Sequence, residues 1–291
     1  MTKKKVILIA LIIVVVLFGL KKPSQDKNVQ TQSKYHNTIY FDEEQFIKGT
    51  SQAEINPSSL DYQVRGGVVP HHLLASYIIA DFFKKLSIQK PQTIILIGPN
   101  HEEKGNYKVL SSRYLWKTEY GMVEPNLLLI DKLMASNLVK IDESVMPSDQ
   151  SISALMPFIS FYMPYVKIVP MLLSSKMTNE EIGILSDSLS EILKDKNTIL
   201  VASVDFSHYL SFDQANARDL ESITAIKKFG CKKLLTFDSD NLDSASSICT
   251  LLYSMLGVGA TNIDILNHDN SATIQNSKTD FTTSYFSIFF H

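Results

Sequence analysis

Four short apolar, largely β-branched runs recur along this chain: Gly66–Val69, Thr93–Ile97, Val166–Leu172 and Thr198–Ser203. Runs of that length without polar alternation are buried on both faces, as strands of a parallel sheet are. Parallel neighbours need crossover connections, and stretches with helical spacing lie between and after them. Leu73–Leu86 is amphipathic and ends in Lys84-Lys85, and Asn126–Ala135 follows Pro125. Ser151–Tyr162 contains Pro157, which should kink that helix or delay its start. Thr178–Leu193 opens with a capping box, Thr178 and Glu181. Asp213–Phe229 should stop at Gly230, and a last helix, about Ser244–Leu256, at Gly257. Asn262–Leu266 and Thr282–Phe289 read as closing strands. The pattern predicts one α/β domain over about residues 61–291, with a mostly parallel central sheet and helices on both faces.

The first 22 residues obey a different rule. Three lysines precede an unbroken apolar run from Val6 to Leu20, and Lys21-Lys22 follow it. Fifteen helical residues span about 22 Å, and flanking lysines can snorkel to cover the rest of a hydrocarbon core of about 30 Å. A cleaved signal peptide is the rival reading, but the exit, Phe18-Gly19-Leu20-Lys21-Lys22-Pro23, lacks the A-x-A-like arrangement of small residues that cleavage requires. The expectation is a transmembrane anchor over 1–22 with a cytoplasmic N-terminus, a polar stalk over 23–60 and an extracytoplasmic main domain. The run also explains a mean hydropathy of +0.02. Five of the 28 basic residues lie within residues 1–22, leaving 23 against 30 acidic side chains and a net charge of −7 on the remainder. An acidic domain is not built to hold nucleic acid. Two cysteines are too few for a disulfide scaffold.

The seven histidines divide in two. His36, His268 and His291 read as solvated surface residues. The other four follow predicted strands: His71 and His72 after Gly66–Val69, His101 after Thr93–Ile97, and His208 after Thr198–Ser203. In open α/β sheets ligands bind beyond the carboxyl ends of the strands, and neutral imidazole is a common metal ligand. Three strands delivering imidazoles to one edge therefore point to a metal site. Asp205 and His208, three apart, can reach one centre, with Asp205 able to ligate, orient a histidine or accept a proton. Cys249, in the first turns of the last helix, is placed where a thiolate is favoured, as a soft ligand or a nucleophile; a buried apolar role or a disulfide with Cys231 are the plainer readings.

Pro70-His71, Gly98-Pro99-Asn100-His101, Ser203-Val204-Asp205-Phe206-Ser207-His208-Tyr209, the late Cys249 and Thr283–Ile288 together resemble the Memo family, which includes AmmeMemoRadiSam system protein B and a mediator of cell motility. The resemblance runs from about residue 62 to 290. It implies a fold similar to class III extradiol (LigB-type) dioxygenases, which use non-haem iron. It further implies His71, His101 and Cys249 as metal ligands, with Asp205 and His208 beside them, and iron or copper, or zinc, as the metal. Two departures stand out. Pro70-His71-His72-Leu73-Leu74 replaces the usual Pro-His-Ala-Gly-Tyr, adding His72 as a candidate ligand, and Gln150-Ser151-Ile152-Ser153 replaces His-Ser-Ile-Glu. The second change removes two ionisable groups.

The leading expectation is a metal-binding protein with redox or dioxygenase-type chemistry on an unknown small molecule. Tyr77, Tyr209 and Phe206 are candidates for the pocket wall, with core packing favoured for Phe206. The alternatives are a non-catalytic exported binding protein, whose partner would be another protein, and a hydrolase using Cys249, His208 and Asp205.

Overall fold

A computed structural model describes residues 34–55, 59–135, 137–277 and 281–291. The expected anchor over 1–22 lies outside them. Among the described residues no helix is long and apolar enough to cross a membrane.

In chain order the strands are β1 (Tyr35–Asn37), β2 (Gly66–Val69), β3 (Thr93–Pro99), β4 (Val109–Ser111), β5 (Leu115–Thr118) and β6 (Gly121–Pro125). They continue with β7 (Val139–Ile141), β8 (Lys167–Leu173), β9 (Thr198–Ser203), β10 (Phe206–Leu210), β11 (Ile263–Asn270) and β12 (Thr282–Phe290). The helices are α1 (Glu43–Ile55), α2 (Ser76–Ser87), α3 (Leu127–Met134), α4 (Gln150–Ser153) and α5 (Met156–Tyr162). After them come α6 (Asn179–Leu193), α7 (Phe212–Lys227), α8 (Cys231–Leu234), α9 (Ala245–Val258) and α10 (Ser271–Ile274).

The four expected strands form the parallel centre in the order β8-β3-β9-β2. Beyond β2 the sheet turns antiparallel: β2 and β10 pair with one edge of β12, and β11 lies along the other. Antiparallel pairing also appears where β4 joins β8 and β5 joins β6.

Alternation along the central strands assigns side chains to two cores. Ile95, Ile97, Val169, Met171, Leu200 and Ala202 face a core shared with α3, α6 and α9. Ile94, Leu96, Ile168, Leu172, Ile199 and Val201 face the opposite core, built with α1, α2 and α5. This is why the middles of these strands are apolar on both faces, with polar residues such as Thr93, Lys167, Thr198 and Ser203 at the ends: each inner residue has a helical layer to meet, whichever way it points.

Local signals place most ends. Thr178 and Glu181 close the expected capping box at α6. The stretch 151–162 breaks into α4 and α5, and Pro157 stands in the first turn of α5, where its missing N–H loses no helical bond. Two glycine stops differ from expectation. Phe229, not Gly230, takes the positive φ (52°) after α7, while Gly230 precedes α8 at φ −83°. Gly257 lies inside α9, against the side chain of Ser190 on α6, where a Cβ would collide with it; the helix ends at Gly259 in the left-handed conformation (φ 71°).

The polar stretch expected as a stalk over 23–60 is structured from residue 34. β1 pairs with β5, and α1 packs on the domain through buried Phe46 and Ala53. Phe46 stacks on Tyr120 at 4.5 Å and meets Phe158 at 4.7 Å. None of the three histidines read as solvated is loose. His36 is buried and hydrogen-bonded to Ser112 and Glu143, both at 2.9 Å. His268 stacks on Phe286 and meets Asp219 at 2.9 Å, and His291 stacks on Tyr62.

Candidate metal centre

Three adjacent parallel strands end at one place. β2 runs into Pro70-His71-His72, β3 into Asn100-His101, and β9 into Val204-Asp205, with His208 on β10 just beyond. Sheet order alone brings the groups together, as expected for the carboxyl edge of an open sheet.

A fifth group was not foreseen. Asp243, just before the N-cap of α9, places Oδ2 3.3 Å from His71 Nε2 and 3.7 Å from His101 Nε2. Its side chain and its backbone are both tied to the β9 loop: Asp205 N–H donates to Asp243 Oδ2 (3.2 Å), and Asp243 N–H donates to the Asp205 carbonyl (3.1 Å). His71, His101 and Asp243 thus offer three donor atoms all within 4.8 Å of one another, and so do Asp205, His208 and Asp243.

The imidazoles of His71 and His101 are each held by Nδ1. His71 Nδ1 bonds to Ser203 Oγ at 3.1 Å, while its backbone N–H donates to Asp205 Oδ1 at 3.0 Å. His71 Nε2 is buried with no hydrogen-bond partner, although Asp205 Oδ2 lies 3.5 Å away. Burial pulls this imidazole down to about 4, against the opposing charge of Asp243, so it is neutral at ordinary pH. His101 behaves oppositely. Burial lowers it, but the hydrogen bond to Asp149 and the neighbouring Asp243 carboxylate outweigh burial and raise it to about 10. Asp149 is a second unforeseen residue. It caps α4, accepts from Ser151, and binds both the backbone N–H and Nδ1 of His101. Gly98 on β3 permits this: a Cβ there would stand 2.5 Å from Ser151 Oγ. Burial holds Asp205 above the usual carboxylate range, even though the charges of His208 and His72 and its backbone bonds work the other way.

The cluster opens on a cavity of about 460 Å³, lined by His72, His101, Asp205, His208, Tyr209 and Asp243 among others. His72 is exposed there, its Nδ1 within 2.6 Å of Tyr285 Oη, and belongs to neither donor group. Gln150 also lines the cavity. Tyr77 bonds instead to Asp269, and Phe206 is core.

Cys249 is not brought to this group. It lies on the inward stripe of α9, in the core beneath the sheet, where its Sγ approaches the Cys231 carbonyl and the Cys231 Sγ approaches its own. The hydrogen bond with Cys231, then burial, pushes its thiol well above the ordinary range. The helix-terminus effect expected for a thiolate is overridden, and Cys249 belongs to neither group of donor atoms among the described residues. Asp243, six positions earlier, stands where the resemblance puts the cysteine. Both cysteines are free.

Comparison with known proteins fits this architecture. The model of the Memo family, described as Memo-like protein, matches residues 38–289, so the chain belongs to the Memo family. A MEMO1 family protein of Pyrobaculum aerophilum is 26% identical over 264 residues, covering 85% of this chain and 92% of that protein. One of Methanosarcina acetivorans is 30% identical over 223 residues, covering 73% and 80% respectively. Among solved structures, an uncharacterized protein of Escherichia coli K12 shares the fold with a TM-score of 0.53 at 15% identity, over 77% of this chain and 99% of that one.

Proposed function

We propose that His71, His101 and Asp243 form a two-histidine, one-carboxylate site for a divalent transition metal, iron ahead of copper or zinc. The adjoining cavity would take a small molecule for redox or non-haem dioxygenase-type chemistry. The observation that carries this reading is His71 Nε2: a neutral imidazole nitrogen, buried and unpartnered, facing Asp243 at 3.3 Å. A buried polar atom left without a partner costs about 1–3 kcal/mol, which a metal bond would offset. Two imidazoles and a carboxylate with open positions is the donor set of non-haem iron(II) oxygenases, and the absence of a thiolate removes the donor that favours copper(I).

When bound, such a metal supplies Lewis acidity and a change of oxidation state. The chain's residues do the rest. Asp149 fixes the tautomer and ring of His101 so that Nε2 turns to Asp243. Ser203 and Asp205 hold the His71 loop. Asp205 and His208, on the cavity wall, are placed to take a proton from a bound small molecule and return it.

A non-catalytic binding protein is the second reading, favoured by Gln150, which puts a neutral amide on the cavity wall. Elemental analysis of the full chain purified without chelator tests the metal site. Stoichiometric metal in the wild type, a clear loss in His101→Ala and less than a tenth of the wild-type content in Asp243→Ala are expected; a metal content that neither substitution changes overturns the site. Iron-loaded protein that neither consumes oxygen with a reductant nor changes oxidation state would favour the binding role.

We also propose that residues 1–22 tether the domain to a membrane, with the domain on the extracytoplasmic side. Support comes from the lysine-flanked apolar run of Val6–Leu20. A mature chain lacking residues 1–22 by mass spectrometry would overturn it.

A further inference from the structure

We infer that this site is built for two divalent cations that share Asp243. The inference rests on the metal site proposed above and extends it to a second position held by Asp205, His208 and Asp243; with a cation there, Asp205 and His208 are its ligands in place of the proton-carrying role given them above.

The geometry carries it. The two donor sets overlap only in Asp243, and each holds its atoms within 4.8 Å. A carboxylate has two oxygens, and those of Asp243 are not equivalent. Oδ2 faces the first set, 3.3 Å from His71 Nε2 and 3.7 Å from His101 Nε2. Oδ1 is buried with no partner, on a side chain only 8% exposed. His208 Nδ1 is likewise buried and unpartnered, while the backbone of His208 is fixed to the Ser239 carbonyl at 3.0 Å. Asp205 completes the set. It is 2% exposed, and its Oδ1 is committed to the His71 backbone, which leaves Oδ2 toward the cluster.

One cation does not account for these orphaned atoms. A cation on His71, His101 and Asp243 satisfies His71 Nε2 and one Asp243 oxygen, yet leaves His208 Nδ1 and Asp243 Oδ1 buried and unpaired. A second cation bridged through the Asp243 carboxylate draws on the set of Asp205, His208 and Asp243, which contains both residues that carry these orphaned atoms. Carboxylate-bridged cations lie about 3.5–4 Å apart and clamp a substrate oxygen from two sides. One imidazole and two carboxylates form a harder set than the first, suited to manganese, iron or zinc rather than copper. The ligand class is a divalent cation of borderline hardness.

The test is manganese(II) titration of the metal-free full chain, followed by calorimetry and electron paramagnetic resonance. Two ions per chain and the spectrum of a spin-coupled pair are expected. His208→Ala should reduce the stoichiometry from two to one and replace the coupled spectrum with that of an isolated ion. His208→Gln serves as the second variant, with circular dichroism to verify folding in both. One ion per wild-type chain, unaffected by His208→Ala, overturns the second position and leaves the first intact. Two ions in the His208 variants reject the assignment of that residue. Failure of the wild type to bind any ion defeats both.

Discussion

Asp149 holds His101 by two hydrogen bonds, accepting the backbone N–H on one oxygen and Nδ1 on the other, each at 2.9 Å. This two-point grip fixes the strand end and the ring at once, so the direction of Nε2 does not depend on a rotamer preference. Outer partners of ligating histidines commonly govern affinity by 10–100-fold. Asp149→Asn should therefore weaken metal binding by about that factor without lowering the number of ions bound at saturation. Titration of the variant beside His101→Ala checks this; equal loss in both would make Asp149 a ligand instead of an orienting group.

The placement of Cys249 gives a paired prediction. Cys249→Ala should leave metal content unchanged, whereas Asp243→Ala should abolish it. Both thiols are buried, so labelling of native protein should be slow at each and become fast only on unfolding. Rapid modification of Cys249 alone in native protein would restore the nucleophile reading.

Gly98 and Ser151 leave each other no spare room, since a Cβ on Gly98 would stand 2.7 Å from Ser151 Cβ. Gly98→Ala is expected to cost about 1–3 kcal/mol, as overpacked cores do. It should also weaken metal binding, because the displaced helix carries Asp149. Adding Ser151→Gly should recover much of the loss, a coupling that chemical denaturation of the four members of the cycle would reveal.

Glu143 ties the β1 end to the domain by accepting from His36, Ser112 and the Arg113 backbone. Burial opposes its ionisation, but those bonds with His36, Ser112 and Arg113 prevail and hold its carboxyl below the ordinary 4.5. A carboxyl lowered in the folded state stabilises fully above its unfolded value and loses that contribution as pH falls through the folded one. Glu143→Gln should cost about 1–2 kcal/mol at pH 7, allowing for its partial exposure. The difference from wild type should shrink below about pH 4.5. A gap in melting temperature that stays constant down to pH 3 would show that the carboxylate charge is irrelevant.

How much of this was legible in the sequence depends on how local each signal is. The four parallel strands and the capped start of α6 are written in short windows, and His71, His101, Asp205 and His208 follow from strand ends alone. Asp243 and Asp149 were missed because each is a single aspartate before a helix, indistinguishable in sequence from an ordinary capping residue; only the sheet edge gives them imidazole neighbours. Cys249 misled for the converse reason. Its place near a helix start suggested a thiolate, while the apolar spacing to Leu252 and Met255 already marked the stripe that turns inward. Among the described side chains of α1, only Phe46 and Ala53, seven apart, are apolar and buried, which is too sparse a pattern to announce a packed helix.

Among the described strands, β12 comes last in sequence, long after β2. It supplies the antiparallel neighbour of β2, β10 and β11. Vectorial synthesis therefore delivers β2, with His71 just beyond its tip, long before the partner that covers its free edge. Until the nine residues of β12 arrive, that edge stays open to other chains, and the histidine loop rests on an unfinished support. A chain that has not yet made β12 thus lacks part of the framework under His71 as well as part of its sheet, so the cation loading proposed for this site should wait on the pairing of β12.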